Sequence, residues 1–315
     1  MEMKFLLTIY LVIILLLLSI CIFLILFHKK SRRECIEKEK FLMDQLHTAV
    51  ECNKRKTEYF SNMTHDLKTP LSVILGAIQL MELKKNEQID NESIYTKNMR
   101  IIKCNCYRMM RLINNLLDLT KIEEGYLELK PVNCDLNLLL DEIIQSVMPY
   151  AVQRKLNLHF DKPSQAIVTA IDVEKMERIM LNLLSNAIKF TDPGGTVTVS
   201  SYTSGDRIFI SVKDSGSGIS LNNQEKIFER FRQLESSNSA KNKGSGIGLS
   251  LVKSFVSLHH GVISVKSEQN KGSEFIIELP AHLSSETGSS IVNDNDTRIK
   301  QEVKIELSEL HSAAL

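Results

Sequence analysis

The stretch Phe60-Ser-Asn-Met-Thr-His-Asp-Leu-Lys-Thr-Pro-Leu-Ser72 sets one histidine, His65, beside a carboxylate, Asp66, with the hydroxyl of Thr69 four residues on. Positions i and i+4 of a helix share a face, so Thr69 stands over the same surface as His65. Imidazole titrates near neutrality and has two distinct ring nitrogens, so a neighbouring carboxylate suits it to acid–base work. Pro70 has no N–H and crowds the carbonyl of Asp66, which loosens the helix beside the histidine; the plainer alternative is a tolerated kink.

Two glycine clusters have chemistry of a different kind. Asp214-Ser-Gly-Ser-Gly-Ile219 follows an alternating, strand-like segment, and Gly244-Ser-Gly-Ile-Gly-Leu249 leads into a helical one. Glycines ahead of a helix N-terminus let backbone N–H groups approach phosphate oxygens, and the helix dipole favours the negative charge. No Gly-Lys-Ser/Thr follows either cluster, so neither is a Walker loop, and each alone is also an ordinary turn. Asn182 and Asn186 are spaced i, i+4, and Lys189 follows within one turn. Two amides and an ammonium on one face can hold a hard cation with its phosphates, or can simply be a solvated face opposite Leu181, Leu184 and Ile188.

These groups need elements to hold them. Residues 5–27 carry no charge, and about 23 residues at ~1.5 Å each reach across a hydrocarbon core of roughly 30 Å. The run ends in Phe27-His28-Lys29-Lys30 rather than in small residues, which favours an uncleaved anchor over a signal peptide. Lys29, Lys30, Arg32 and Arg33 outweigh Lys4, so everything after residue 28 is expected in the cytoplasm, on a single-pass cell-membrane protein. Residues 31–59 lack Gly and Pro and read as a helical linker. A heptad ladder through Leu46, Ala49, Asn53, Lys56, Phe60, Met63 and Leu67 puts His65 at the outward f position.

A second amphipathic helix is expected from Ser93 to Lys121 after the polar break Lys84–Asn91, making a helical hairpin. One hairpin cannot bury its own stripe, whereas two can, as a dimeric four-helix bundle. After Gly125, helical patterns (136–150, 172–189) alternate with strand patterns (156–160, 196–200, 207–212, 262–265, 274–279), which predicts an α/β sandwich with a mixed sheet. Past Pro280 the Ser-, Asn- and Asp-rich tail is expected to be mobile, with one alternating patch at Val303–Leu307. The net charge of +1 and the absence of Trp give no sign of a nucleic-acid surface. The scattered cysteines lack a C-x-x-C pair, which argues against a metal site and a disulfide framework alike.

Taken together, these features resemble the bacterial sensor histidine kinases over residues 59–280. Phe60–Ser72 is similar to the family's H box, Asn182–Phe190 to its N box, Asp214–Ile219 to its first glycine box, Phe228–Phe231 to its F box, and Gly244–Leu249 to its second glycine box. Asp66 stands where many members have Glu. With the transmembrane anchor (1–28), the helical linker (29–58) and the tail (282–315) read from the patterns above, the resemblance implies an all-α dimerisation and phosphotransfer domain (59–125) and a Bergerat-type ATP-binding domain (126–281). It implies that His65 takes the γ-phosphoryl group of ATP, that Asp66 is its acid–base partner, and that Thr69 positions water for dephosphorylating the partner protein.

For ATP and Mg2+, the resemblance implies Asp214 on the adenine amino group and Gly216, Gly218 and Ile219 beside the base. Asn186 would be a metal ligand with Asn182 beside it, and Lys189 would lie on a phosphate. Gly244, Gly246, Gly248 and Leu249 would lie along the phosphates, below a lid between Ile219 and Gly244 that carries Phe228, Phe231, Lys241 and Lys243. Related ATPases place a glutamate base where this chain has Asn182, so transfer to a protein acceptor is expected rather than hydrolysis. The implied partners are a second copy of the chain and a separate response regulator, and the stimulus could be membrane state, a partner membrane protein or an internal ligand. An ATP-binding scaffold whose phosphatase side dominates is the alternative reading.

Overall fold

The computed structural model describes residues 2–84, 91–229, 246–283 and 295–308. The chain divides into two compact units, Met1–Ser61 and Asn62–Leu315. The first is helix alone, the N-terminal part of α1 (Glu2–Lys84), and residues 18–51 are all exposed along it. Among the described residues no helix is long and apolar enough to cross a membrane. Within the expected anchor, the side chains of residues 5–15 and 17 lie outside those described.

The second unit begins with the remainder of α1 and with α2 (Asn91–Glu123). Met63, Pro70 and Ala77 recur every seven residues and are buried, flanked by half-buried Leu67, Ile74 and Met81. On α2, Asn98, Leu112 and Leu119 are buried on the same spacing. This is the seam of packed helices, with knobs repeating at the heptad. The helix runs through Pro70 without a break, because the other turns still carry their hydrogen bonds. Leu71, Leu75 and Ile78, and across on α2 Met110, Ile113 and Leu117, form further i, i+3/i+4, i+7 stripes that stay exposed in the single chain.

The α/β part follows as β1 (Val132–Asp135), α3 (Leu136–Gln153), β2 (Asn157–Asp161), β3 (Val168–Ile171), α4 (Val173–Phe190), β4 (Thr196–Ser204), β5 (Arg207–Asp214), α5 (Leu221–Gln224), α6 (Gly248–Leu258), β6 (Val262–Glu268), β7 (Gly272–Pro280) and α7 (Asn295–Glu306). The main sheet has the order β2-β4-β5-β7-β6. Only β2 and β4 pair in parallel, and the rest are antiparallel. The mixed sheet expected from the alternating patterns is present. Strands β1 and β3 pair in a separate two-stranded ribbon that the sequence reading missed, because each is only four residues long.

Val197, Val199, Ile208, Ile210, Val212, Ile277 and Leu279 alternate inward from β4, β5 and β7, forming a core with Ile143, Ile144, Ile179, Leu183 and Phe255 of the helices. Asp135 caps α3 by accepting from Asn137 N at 2.9 Å, and Asp172 caps α4 by accepting from Lys175 N at 3.0 Å.

The tail corrects an expectation. Residues 295–306, read as part of a mobile segment, form a helix that packs on α2, α3 and α4. Val303–Leu307 is not a strand-like patch. Ile299, Val303 and Leu307 fall at i, i+4, i+8 and are all buried, so the period that decides is 3.6 rather than 2. Five residues held too little of that period to tell the two apart.

Candidate functional site

His65, Asp66 and Thr69 lie on α1, with Asp66 half-exposed and Thr69 exposed. The side chain of His65 lies outside those described. The remaining candidates gather where α4, the loop after β5, and the start of α6 meet.

Helix α4 is buried over most of its circumference between the sheet and its neighbouring helices. Asn182 is therefore not on a solvated face: it is 3% exposed, while Asn186 is half-buried. The Asn182 amide donates to the Arg178 carbonyl at 3.1 Å. Its oxygen abuts Gly248 at the start of α6, where a Cβ would overlap it. The second glycine cluster thus reaches α4 through its last glycine, and Gly246 just before it has φ +70°. Lys189, in the last turn, carries its ammonium 5.6 Å from the Phe190 ring centre.

Asp214 ends β5 and is buried. Its Oδ1 accepts from Gly216 N at 2.8 Å. Burial pushes its pKa up, against the pull of hydrogen bonds from the backbone N–H groups of Gly216 and Ser273. A carboxylate so desolvated gains from one more donor, as an exocyclic amine offers.

Gly218 (φ +65°) lies so close to the Glu268 carbonyl that a side chain there would overlap it. Its freedom is thus spent on the protein's own backbone. The β6–β7 hairpin is the support that sequence reasoning missed. Ser267 Oγ accepts from Ile219 N at 2.7 Å, Asn270 N donates to Ser217 O at 2.7 Å, and Gln224 Nε2 donates to Ser267 O at 2.7 Å. The Asn-Lys-Gly turn between two alternating segments marks a hairpin in the sequence, but nothing local to it names the loop it braces.

The beginning of the expected lid is held down. Helix α5 and a 3-10 turn at Lys226–Phe228 follow Ile219, and Ile227 is buried. Phe228 meets Phe275 edge-on at 6.3 Å, with the Lys253 ammonium 6.0 Å from its ring. Phe231, Lys241, Lys243 and Gly244 lie outside the described residues. Leu249 is half-buried in the first turn of α6.

The residues fit a nucleotide with its cation. Asp214 offers a buried carboxylate that would accept from a base, and Gly246 and Gly248 lead into the N-terminus of α6, whose N–H groups would suit phosphate. Among the described residues no group of three His, Cys, Asp or Glu side chains can hold a metal ion. Asn186 offers a cation a neutral amide oxygen, so nucleotide phosphates must supply the negative ligands.

Comparison with known proteins accords with this arrangement. A family model described as His Kinase A (phospho-acceptor) domain matches residues 55–125. One described as histidine kinase-, DNA gyrase B-, and HSP90-like ATPase matches residues 171–283. Hybrid signal transduction histidine kinase D of Dictyostelium discoideum is 35% identical over 196 residues, 60% of this chain and 12% of that protein. Sensor histidine kinase TmoS of Ectopseudomonas mendocina is 35% identical over 209 residues, 65% of this chain and 21% of that one. The chain thus spans about a fifth or less of the length of these curated relatives. The solved structure of histidine kinase ThkA in complex with response regulator protein TrrA aligns with a TM-score of 0.52 at 21% identity, over 71% of this chain and 61% of that one, which is a likeness of fold.

Proposed function

The chain belongs to the two-component histidine kinases, and from that premise we propose that it phosphorylates itself on His65 from ATP and passes the phosphoryl group to an aspartate of a separate response regulator. The observation that supports this best is the order of the two family matches, a phospho-acceptor segment carrying His65 and then an ATP-binding segment.

Asp66 accepts a hydrogen bond from one ring nitrogen of His65, fixing the tautomer and leaving the other nitrogen to attack. Bound ATP supplies the phosphoryl group, and Mg2+ neutralises charge on the phosphates. Asp214 would orient the base, Asn186 would hold the cation with Asn182 beside it, and Lys189 would neutralise a phosphate. With an amide rather than a carboxylate at Asn182, no base is placed there to activate water. Thr69 serves the reverse traffic, positioning water for dephosphorylating the regulator.

The exposed stripes at Leu71, Leu75 and Ile78 and at Met110, Ile113 and Leu117 are the surface for a second copy, completing a four-helix bundle. Residues 5–27 anchor the chain in the cell membrane with its catalytic part in the cytoplasm, supported by their length, their lack of charge and the basic cluster that follows.

The test is incubation of the chain with γ-labelled ATP. Acid-labile label is expected on the parent and none on His65→Gln. Label that persists in His65→Gln would move the acceptor elsewhere, and no label on the parent would sink the kinase reading.

A further inference from the structure

Helix α7 has no part in the site just described, yet it is seated where the two halves of the second unit meet. Ile299, Val303 and Leu307 bury its apolar stripe against α2, α3 and α4. Charged side chains bound that stripe. Glu306 is ion-paired with Arg111 of α2 (Oε2 to Nε, 2.9 Å), and Arg111 Nη1 also donates to the Glu306 carbonyl at 3.1 Å. At the other end of α7, Arg298 donates to Glu177 of α4 at 2.7 Å. Beneath α7 the two larger helices are joined directly: Arg178 of α4 is ion-paired with Asp118 of α2 and donates to Asn115 Oδ1 at 2.9 Å. Arg111, Asn115 and Asp118 are i, i+4, i+7, so α2 offers this junction a single face.

We propose that α7 is a built-in closure, a C-terminal helix that ties α2, the second helix of the segment that carries His65, to the nucleotide-site helix α4 and restrains the movement that brings the nucleotide to His65. The inference rests on the kinase reading above and adds a regulation to it. Helix α4 carries Asn182 and Asn186, whereas His65 sits on α1. The transfer needs the ATP-binding part to approach His65, and the next step needs it to withdraw for the regulator. A contact that binds α4 to one stretch of α2 favours one arrangement and slows exchange with the others.

The chemistry of the contact suits something that opens. Buried ion pairs specify an arrangement while adding little net stability, because desolvation offsets much of the attraction. The junction is also incompletely satisfied: among the described residues, Glu177 Oε2 and Asn115 Nδ2 find no hydrogen-bond partner. Water reaching these groups when α7 lifts compensates part of what the closure loses.

The experiment uses the full chain, with three readouts: initial rate of His65 labelling, affinity for ATP, and hydrogen exchange at residues 298–307. Glu306→Arg sets two cations together, and is expected to raise the labelling rate on the order of fivefold at unchanged ATP affinity, with faster exchange in α7. Arg111→Glu combined with Glu306→Arg restores the pair and returns both readouts toward the parent. A chain stopped after residue 294 is expected to label at least as fast as Glu306→Arg. Equal labelling in the parent and Glu306→Arg, failure of the charge swap to reverse the effect, or slower labelling of the stopped chain at intact ATP affinity each overturns the proposal. Absence of label from every chain overturns the kinase reading instead, and exchange in α7 then decides the closure by itself.

Discussion

Gly218 shows what one residue contributes when its neighbours come from far along the chain. The glycine cluster it belongs to is plain in the sequence, and the flexibility it offers a ligand-facing loop is an ordinary inference. The nearest obstacle to a side chain is nevertheless the Glu268 carbonyl, fifty residues on, at a backbone φ of +65°. Gly218→Ala therefore combines left-handed strain with overlap, for a loss of about 1–3 kcal/mol or more. It is expected to lower the melting temperature and weaken ATP binding together, read by thermal melts with and without nucleotide. A variant that melts like the parent would mean the loop can leave the hairpin freely. Asn182 teaches the same lesson: its spacing from Asn186 was legible, but its burial beneath Gly248 was not, since both faces of an amphipathic helix can be covered once a second helix packs on it.

The elements were mostly legible, since long periodic segments announce themselves: α2, α3, α4 and the strands of the main sheet fall where the patterns put them. How the elements are joined end to end was not. The N-terminus of α4 and the C-terminus of α6 meet through His259, whose Nε2 accepts from Asp172 N at 3.1 Å while Nδ1 donates to Phe255 O at 2.8 Å. The Nδ1 contact survives protonation, whereas acceptance at Nε2 requires the neutral ring. Burial pushes its pKa below the ordinary 6.5, outweighing the Phe255 carbonyl and the Asp172 carboxylate, with His260 and His282 adding to the depression. The unfolded chain thus takes up the proton first, so this joint contributes fully above pH 6.5 and is lost as pH falls below it. Melts between pH 8 and 5 should show a drop on the acid side that is shallower in His259→Gln. An equal drop in both chains would assign the acid sensitivity elsewhere.

On the scale of the molecule, the charged junction under α7 decides how the helical and α/β parts sit together, and it has its own pH signature. Glu177 is fully buried, and desolvation pushes its pKa up to about 7 despite Arg298, with Glu302 of α7 and Glu174 of its own helix adding to the rise. A carboxyl raised in the folded state favours the fold most below its unfolded value of 4.5, and that contribution fades as pH rises toward 7. The difference is about 3 kcal/mol at most. Glu177→Gln removes the buried charge and keeps an acceptor for Arg298, so it should raise the melting temperature at pH 8 and change it little at pH 5. A loss of stability at pH 8 would show that the ion pair outweighs its desolvation.

The sequence by itself determined the chemistry-bearing motifs, their order, and the helix or strand character of each long segment, because these reside in spacings of two, three or four residues. The tertiary structure alone decided which surfaces those motifs face. Arg111 and Glu306 are 195 residues apart, and nothing local selects that pairing from 39 basic and 38 acidic side chains. The same holds for α7, whose short apolar stripe gains its meaning only from the groove that α2, α3 and α4 form together. Burial is a property of what lies opposite, and what lies opposite is chosen by the fold.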